Sequence, residues 1–219
     1  MKQIIRQVLQ NLGHIIAGYD RNLAHQLRKH SVLDSVNYIK ETINYDFVVV
    51  EKKLDIFPFA LSRLNEGCIC EFGVYKGETI NYMASLTPKR KIFGFDSFQG
   101  LPVDWETPKE SFVTPVPQVK ENVKLFVGWF HDTIPKFLEE NQDKIAFVNV
   151  DCDVYESTKT VLESLDSKIT NKTLMYLDDY FVKLNWQNNV FKAFQEFIKN
   201  TKKFSISGNY WDWWCSSSI

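Results

Sequence analysis

The sequence predicts an α/β domain: a mostly parallel β-sheet covered by helices, preceded by a helical extension and closed by an antiparallel hairpin. Two observations carry this. After Gly67 the chain alternates short apolar runs with polar loops and helix-period stretches, the pattern of parallel strands joined by crossover helices. Before Gly67, residues rich in Leu, Ile, Lys, Gln and Asn place apolar side chains three and four apart, a helical period. The expected organisation is a helical extension or lid over 1–65 and a ligand-binding domain over 66–219.

Each element has its own signal. "DSVNYIKETI" (Asp34 to Ile43) and "FPFALSRL" (Phe57 to Leu64) are helical segments of the extension. Strands are expected at "CICEF" (68–72), "KIFGF" (91–95), "VKLFV" (123–127), "IAFVNV" (145–150) and "TLMYL" (173–177), with helices near 78–86, 132–141, 156–168 and 188–200. The tail "KFSISGNYWDWWCSSS" reads as two strands joined at Gly208-Asn209, a hairpin on the sheet edge. Ser97 to Val119 carries four prolines and is expected to form a loop beside the site.

Composition narrows the function classes. A 44% hydrophobic content suits one packed core, and a net charge of −1 advertises neither nucleic acid nor an anionic membrane. The N-terminus lacks a signal-like apolar region, and no run of about 18 apolar residues occurs. A cytoplasmic protein without membrane insertion is expected. Cys68, Cys70, Cys152 and Cys215 lack zinc-knuckle spacing, so reduced buried thiols are expected. Exposed apolar positions on N-terminal helices suggest a homodimer.

In an open α/β sheet, ligands bind beyond the carboxyl ends of the strands, where this sequence places its unusual residues. The first strand ends in "CEFGVYKGET". Glu71 leaves the strand, Gly73 permits close backbone approach, and Gly77 opens a helix. The spacing is G-x-x-x-G, which disfavours a dinucleotide site. The second strand ends in "FGFDSFQGLP", placing Asp96 25 residues after Glu71, near the offset at which an acid accepts ribose hydroxyls. It could equally cap the following turn. Two strand-end acids favour a positively charged, adenosine-containing cofactor, and S-adenosylmethionine suits them better than NAD or ATP. In "FVGWFHDT", Gly128 would let backbone approach a ligand, Trp129 or Phe130 could stack on adenine, and His131 is a candidate base or a surface residue.

The fourth strand ends in "VNVDCDVYEST" and the fifth in "YLDDY". On an extended chain Asp151 and Asp153 would face the same side, and Asp178 and Asp179 end a neighbouring strand. Four clustered carboxylates raise one another's pKa unless a cation joins them. Oxygen-only ligands suit Mg²⁺, although one or two of the acids could cap helices instead. A metal next to a hydroxyl lowers its pKa, and a nearby carboxylate can take its proton.

"EFGVYKGET" (71–79), "FGFDSFQGLP" (93–102), "VGWFHDTIP" (127–135), "VDCDVYEST" (150–158) and "LDDY" (177–180) together resemble the macrocin O-methyltransferase family of metal-dependent sugar O-methyltransferases. The resemblance implies a class I methyltransferase (Rossmann-like) fold of seven strands, S-adenosylmethionine as donor, Mg²⁺, and a saccharide-like acceptor hydroxyl. By matching positions it implies Asp151, Asp178 and Asp179 as metal ligands and Asp153 as general base. Glu71, Phe72, Gly73, Tyr75, Gly77, Asp96, Ser97, Gly128, Trp129 and Asp151 would line the cofactor. Two other classes stay open: a Mg²⁺-dependent phosphotransferase or hydrolase, disfavoured by the missing G-x-x-x-x-G-K-[ST] loop, and a non-catalytic nucleotide- or cofactor-binding protein on the same fold.

Overall fold

Strands buried on both faces need continuous apolar sequence, and the runs after Gly67 supply it. In the computed structural model, which describes residues 22–42, 47–201 and 213–216 with isolated positions before 22, five of them pair as a wholly parallel sheet. In chain order the helices are α1 (Leu23–Thr42), α2 (Ile56–Leu61), α3 (Glu78–Leu86), α4 (Phe130–Glu140), α5 (Tyr155–Leu165) and α6 (Val190–Thr201). The strands are β1 (Phe47–Val50), β2 (Cys68–Phe72), β3 (Ile92–Asp96), β4 (Val123–Val127), β5 (Ile145–Val150), β6 (Leu174–Leu177) and β7 (Trp213–Ser216). The main sheet runs β4-β3-β2-β5-β6. The chain leaves β2 toward β4, then returns to place β5 on the other side of β2. The strand order therefore reverses between β2 and β5, and their carboxyl ends flank the crevice that such a reversal opens.

Alternating side chains of β2 explain both faces. Cys70 and Phe72 join the core under α4, α5 and α6, whereas Ile69 joins the core under α2 and α3. Phe72, Phe95 and Phe126 occupy one register row across β2, β3 and β4 and stack at 4.5 and 5.0 Å between ring centroids. On the opposite face Phe57 of α2 meets Phe147 and Tyr176 at 6.3 and 5.5 Å. Cys68, Cys70 and Cys152 are buried free thiols, as their spacing suggested.

Three expectations need adjustment. Residues 47–50 were read with the helical extension but form β1, which pairs in parallel with β7 as a separate two-stranded sheet. The first strand of the expected C-terminal hairpin and its Gly208-Asn209 turn lie outside the described residues. Helix α2, expected in the extension, buries Ile56, Phe57, Ala60 and Leu61 in the core of the main sheet. Helix α1 packs in an unusual sense: Ser31 and Ser35 are buried while Leu23, Leu27, Leu33 and Val36 are exposed. Ser35 accepts a hydrogen bond from the Val182 amide at 2.9 Å, and Tyr38 lies edge-on to Trp186 at 5.6 Å. No described helix is long and apolar enough to cross a membrane.

Candidate active site

At the reversal point lies a cavity of about 680 Å³, a size suited to a small ligand or cofactor. One wall is built by the turn after β2. Gly73, at φ +93°, is required there for its own chain: a Cβ would stand 1.7 Å from the Asp151 carbonyl oxygen. The Gly73 amide bonds Phe95 O at 2.9 Å, and the Asp151 amide bonds Phe72 O at 2.8 Å. The glycine thus lets the ends of β2 and β5 touch, which brings Asp151 beside the turn.

Asp96 lines the same wall, and the structure shows what its carboxylate does. Oδ2 accepts the Val74 and Tyr75 amides at 2.8 and 2.7 Å, and Oδ1 accepts the Phe98 amide at 2.7 Å. Three backbone donors hold the two turns together across β2 and β3, leaving the carboxylate room for one further ligand donor. Ser97 likewise closes its own turn, with Oγ donating to Gly100 O at 3.2 Å and accepting the Gln99 amide at 3.0 Å. Tyr75, Gly128 and Trp129 also line the cavity, so this group of expected cofactor residues does converge.

Glu71, Phe72 and Gly77 do not line it. Phe72 belongs to the aromatic row of the core. Gly77 sits at φ +79° against Pro117, 3.1 Å from where a Cβ would lie, so its role is to seat α3 under the proline-rich loop. Glu71 is fully buried on the α2/α3 face, where Asn149 Nδ2 donates to its Oε1 at 2.7 Å. Glu71 Oε2 and Asn149 Oδ1 are each without a partner. One proton on Oε2 would give both atoms a bond at once, and burial pushes the Glu71 pKa well above the usual carboxylate range. Glu71 is thus paired with the Asn149 amide inside the core, on the face away from the cavity lining. Glu71→Gln, which preserves both bonds, should keep stability within about 1 kcal/mol of the parent in denaturant melts. A loss of several times that would mean the glutamate is ionised.

The acidic residues Asp151, Asp153, Asp178 and Asp179 line the same cavity. Strand β5 ends at Val150, and Asp153 turns into the left-handed region at φ +62°, so the extended-chain argument for Asp151 and Asp153 does not hold past the strand. The left-handed turn carries Asp153 toward Asp179, itself at φ +54°, near enough that each acid shifts the other's titration. Asp151 is instead linked to Asp178. The ammonium of Lys53 donates to Asp151 Oδ2 at 2.5 Å and to Asp178 Oδ2 at 2.6 Å, and Tyr176 Oη donates to Asp178 Oδ1 at 2.9 Å. Lys183 lies 3.3 Å from Asp179 Oδ1 and 5.4 Å from the Trp105 ring.

Charge follows this pairing. Burial raises the Asp153 pKa to about 8, helped by Asp151 and Asp179. Two carboxylates share one ammonium at Lys53, and the imbalance falls on Asp151, which burial and Asp178 push up to about 8. Burial alone would raise Asp178 too, but Lys53 and the Tyr176 hydroxyl outweigh it and its pKa is lowered. The four acids thus converge as two pairs, each with its own lysine. Among the described residues, no three His, Cys, Asp or Glu side chains come together as a formed metal site.

Sequence reading missed Lys53, Lys183, Trp105, Asn149 and Tyr176. The two-residue period of "YLD" puts Tyr176 on the face of Asp178, and "NVD" does the same for Asn149 and Asp151. Nothing local marks Lys53, 98 residues before its partner Asp151.

Comparison with known proteins fits this architecture. A model of the macrocin-O-methyltransferase (TylF) family matches residues 109–215, a span that includes both acidic pairs. Over that stretch the chain is similar to the macrocin O-methyltransferase family. Within reach of this family is the 8-demethyl-8-(2,3-dimethoxy-alpha-L-rhamnosyl)-tetracenomycin-C 4'-O-methyltransferase of Streptomyces olivaceus, 26% identical over 188 residues, 74% of this chain and 64% of that protein. The demethyldecarbamoylnovobiocin O-methyltransferase of Streptomyces niveus is 26% identical over 144 residues, 53% of either chain. The chain therefore spans between about half and two thirds of the length of these relatives. In fold it resembles the calicheamicin methyltransferase CalS11, with a TM-score of 0.58 at 21% identity over 80% of this chain and 84% of that one. The five-stranded parallel sheet with its helices is a class I methyltransferase-like α/β fold.

Proposed function

We propose that the chain is an S-adenosylmethionine-dependent O-methyltransferase acting on a hydroxyl of a sugar or saccharide-bearing natural product, with Mg²⁺ as a second cofactor. One observation carries the reading: Asp153, a half-buried carboxylate with a raised pKa, lines the same cavity as the Gly73–Tyr75 turn and Trp129. This supports a proton acceptor in one cavity with a cradle suited to an adenosine-containing donor.

The donor side is formed by Gly73, Tyr75, Asp96, Ser97, Gly128 and Trp129. Asp96 fixes the two turns and retains accepting capacity, and Trp129 offers a flat surface for a purine. S-adenosylmethionine supplies the electrophilic methyl group. Within the same cavity, Asp153 takes the proton that the acceptor hydroxyl loses as its oxygen bonds the methyl carbon and the sulfonium departs as the thioether. The lysine-paired acids divide the remaining work: Asp178 is kept ionised, and Asp179 holds Asp153 in position.

The donor set suits a hard cation, because Asp151 and Asp178 already grip one in the form of the Lys53 ammonium. Asp151, Asp178 and Asp179 are the residues proposed to hold Mg²⁺, which when bound would lower the pKa of the acceptor hydroxyl. The names of the relatives, which act on rhamnosyl-tetracenomycin and novobiocin precursors, support a sugar-bearing acceptor.

Calorimetric titration with S-adenosylmethionine and S-adenosylhomocysteine tests the reading. Both are expected to bind at one site per chain, and absence of binding by either would end it. Asp178→Ala should leave this affinity nearly unchanged while removing Mg²⁺-dependent turnover.

A further inference from the structure

The residue that holds the metal position is itself a cation. Lys53 stands in the turn Lys53–Asp55 directly before α2, and its ammonium lies between Asp151 Oδ2 and Asp178 Oδ2 at 2.5 and 2.6 Å. Its side chain is 23% exposed, against 21% for Asp151 and 10% for Asp178. We propose that Lys53 is a tethered counter-cation of the active site, and that it and a divalent ion exclude one another at Asp151 and Asp178. The proposal rests on the Mg²⁺ reading above and adds a competitor to it.

Three features argue for exclusion. First, the two oxygens a divalent ion would share are the two that the ammonium occupies. Mg²⁺ binds oxygen at about 2.1 Å, so an ion on those atoms would stand in the ammonium's place or against it as a like charge. Second, the ammonium is presented at high local concentration. The residues immediately after it are fixed, since Ile56 and Phe57 are buried in the core, so only the side chain needs to find the carboxylates. Third, the lysine can leave. Its four-carbon stem is flexible, and among the described residues its side chain bonds to the two acids alone. Swinging out therefore breaks two charge-assisted bonds and leaves the backbone of α2 in place. Lys183 completes the arrangement on the second pair, where its ammonium is 3.3 Å from Asp179 and its side chain is more exposed, at 31%.

The consequence is a site that is never left with bare adjacent carboxylates. With the ion absent, Lys53 neutralises part of the charge; with the ion present, Lys53 is released toward the cavity, which Lys52 and Lys53 both line.

Two measurements on the full chain test this. Mn²⁺ and Mg²⁺ are titrated calorimetrically into the parent protein and Lys53→Met, which keeps the stem and removes the charge. Lys53→Met is expected to bind the ion at least about tenfold more tightly. In the parent protein alone, acylation of Lys53 by an amine reagent, mapped by mass spectrometry, should be slow without the ion and accelerate as the ion saturates. That arm needs no variant to fold. Ion binding to Lys53→Met but not to the parent would support the exclusion in its strongest form. Equal affinities with an unchanged acylation rate would overturn the role of Lys53 and leave the Mg²⁺ reading standing. No ion binding to either protein would overturn both.

Discussion

Asp153→Asn is expected to melt higher than the parent protein at pH 9 while losing roughly 10²- to 10⁴-fold in the rate of methyl transfer. The two effects share one cause. In the folded, ion-free protein the Asp153 pKa is about 8, raised by burial and by Asp151 and Asp179, whereas in the unfolded chain it is an ordinary carboxylate near 4. The folded state therefore holds the proton more tightly. Folding carries no penalty from Asp153 below about pH 4, gains one as pH rises, and carries all of it above about pH 8. Asparagine removes that penalty, on the order of 2–4 kcal/mol, and tolerates the left-handed φ of +62° that the position imposes. It cannot accept the hydroxyl proton. Melting curves and single-turnover rates at pH 5 and pH 9 check both halves: the variant's stability advantage should appear at pH 9 and vanish toward pH 4. The parent's rate, limited by the fraction of ionised base, should climb toward pH 8. Equal melting points at pH 9 would show that Asp153 is ionised without strain.

Gly73→Ala should cost at least about 4 kcal/mol, placing it among the exceptional single substitutions. A methyl group there would stand 1.7 Å from the Asp151 carbonyl oxygen, and the atom it meets is backbone, which cannot swing aside. The φ of +93° adds a penalty that glycine alone escapes. The strands must part at the point where the sheet changes direction, so Asp151 moves away from the turn that Asp96 clamps. Denaturant unfolding of Gly73→Ala gives the cost, and cofactor titration of whatever folds gives the effect on the site. A variant with parent-like stability and cofactor affinity would contradict the close approach of β2 and β5.

The five strands of the main sheet were legible because a parallel sheet buried on both faces leaves apolar runs such as "IAFVNV", whose six residues are all buried. The carboxyl-end turns were legible because glycines and acids cluster there. Which way each side chain points was harder to read. "CICEF" alternates, and carrying its two-residue period through would have placed Glu71 with Ile69 on the α2/α3 face, away from the cavity. The strand period was instead extended too far at Asp153, where the backbone had already left the strand. Strand β1 is hard to read because, among the described residues, its partner is β7, more than 160 residues later in the chain. Lys53 was illegible for the same reason: a charge finds meaning in its partner, and its partners Asp151 and Asp178 are brought to it by the fold.

The burial of Phe57 beside Phe147 and Tyr176, four residues after Lys53, bears on any attempt to exchange acceptor preference between relatives by grafting their N-terminal segments. A crossover at residue 65 looks natural in the sequence. It would carry away an aromatic ring from under the sheet together with the ammonium that sits between Asp151 and Asp178, so the chimera would change charge balance and packing along with recognition. Crossing over upstream of residue 53 keeps ring, ammonium and carboxylates from a single parent.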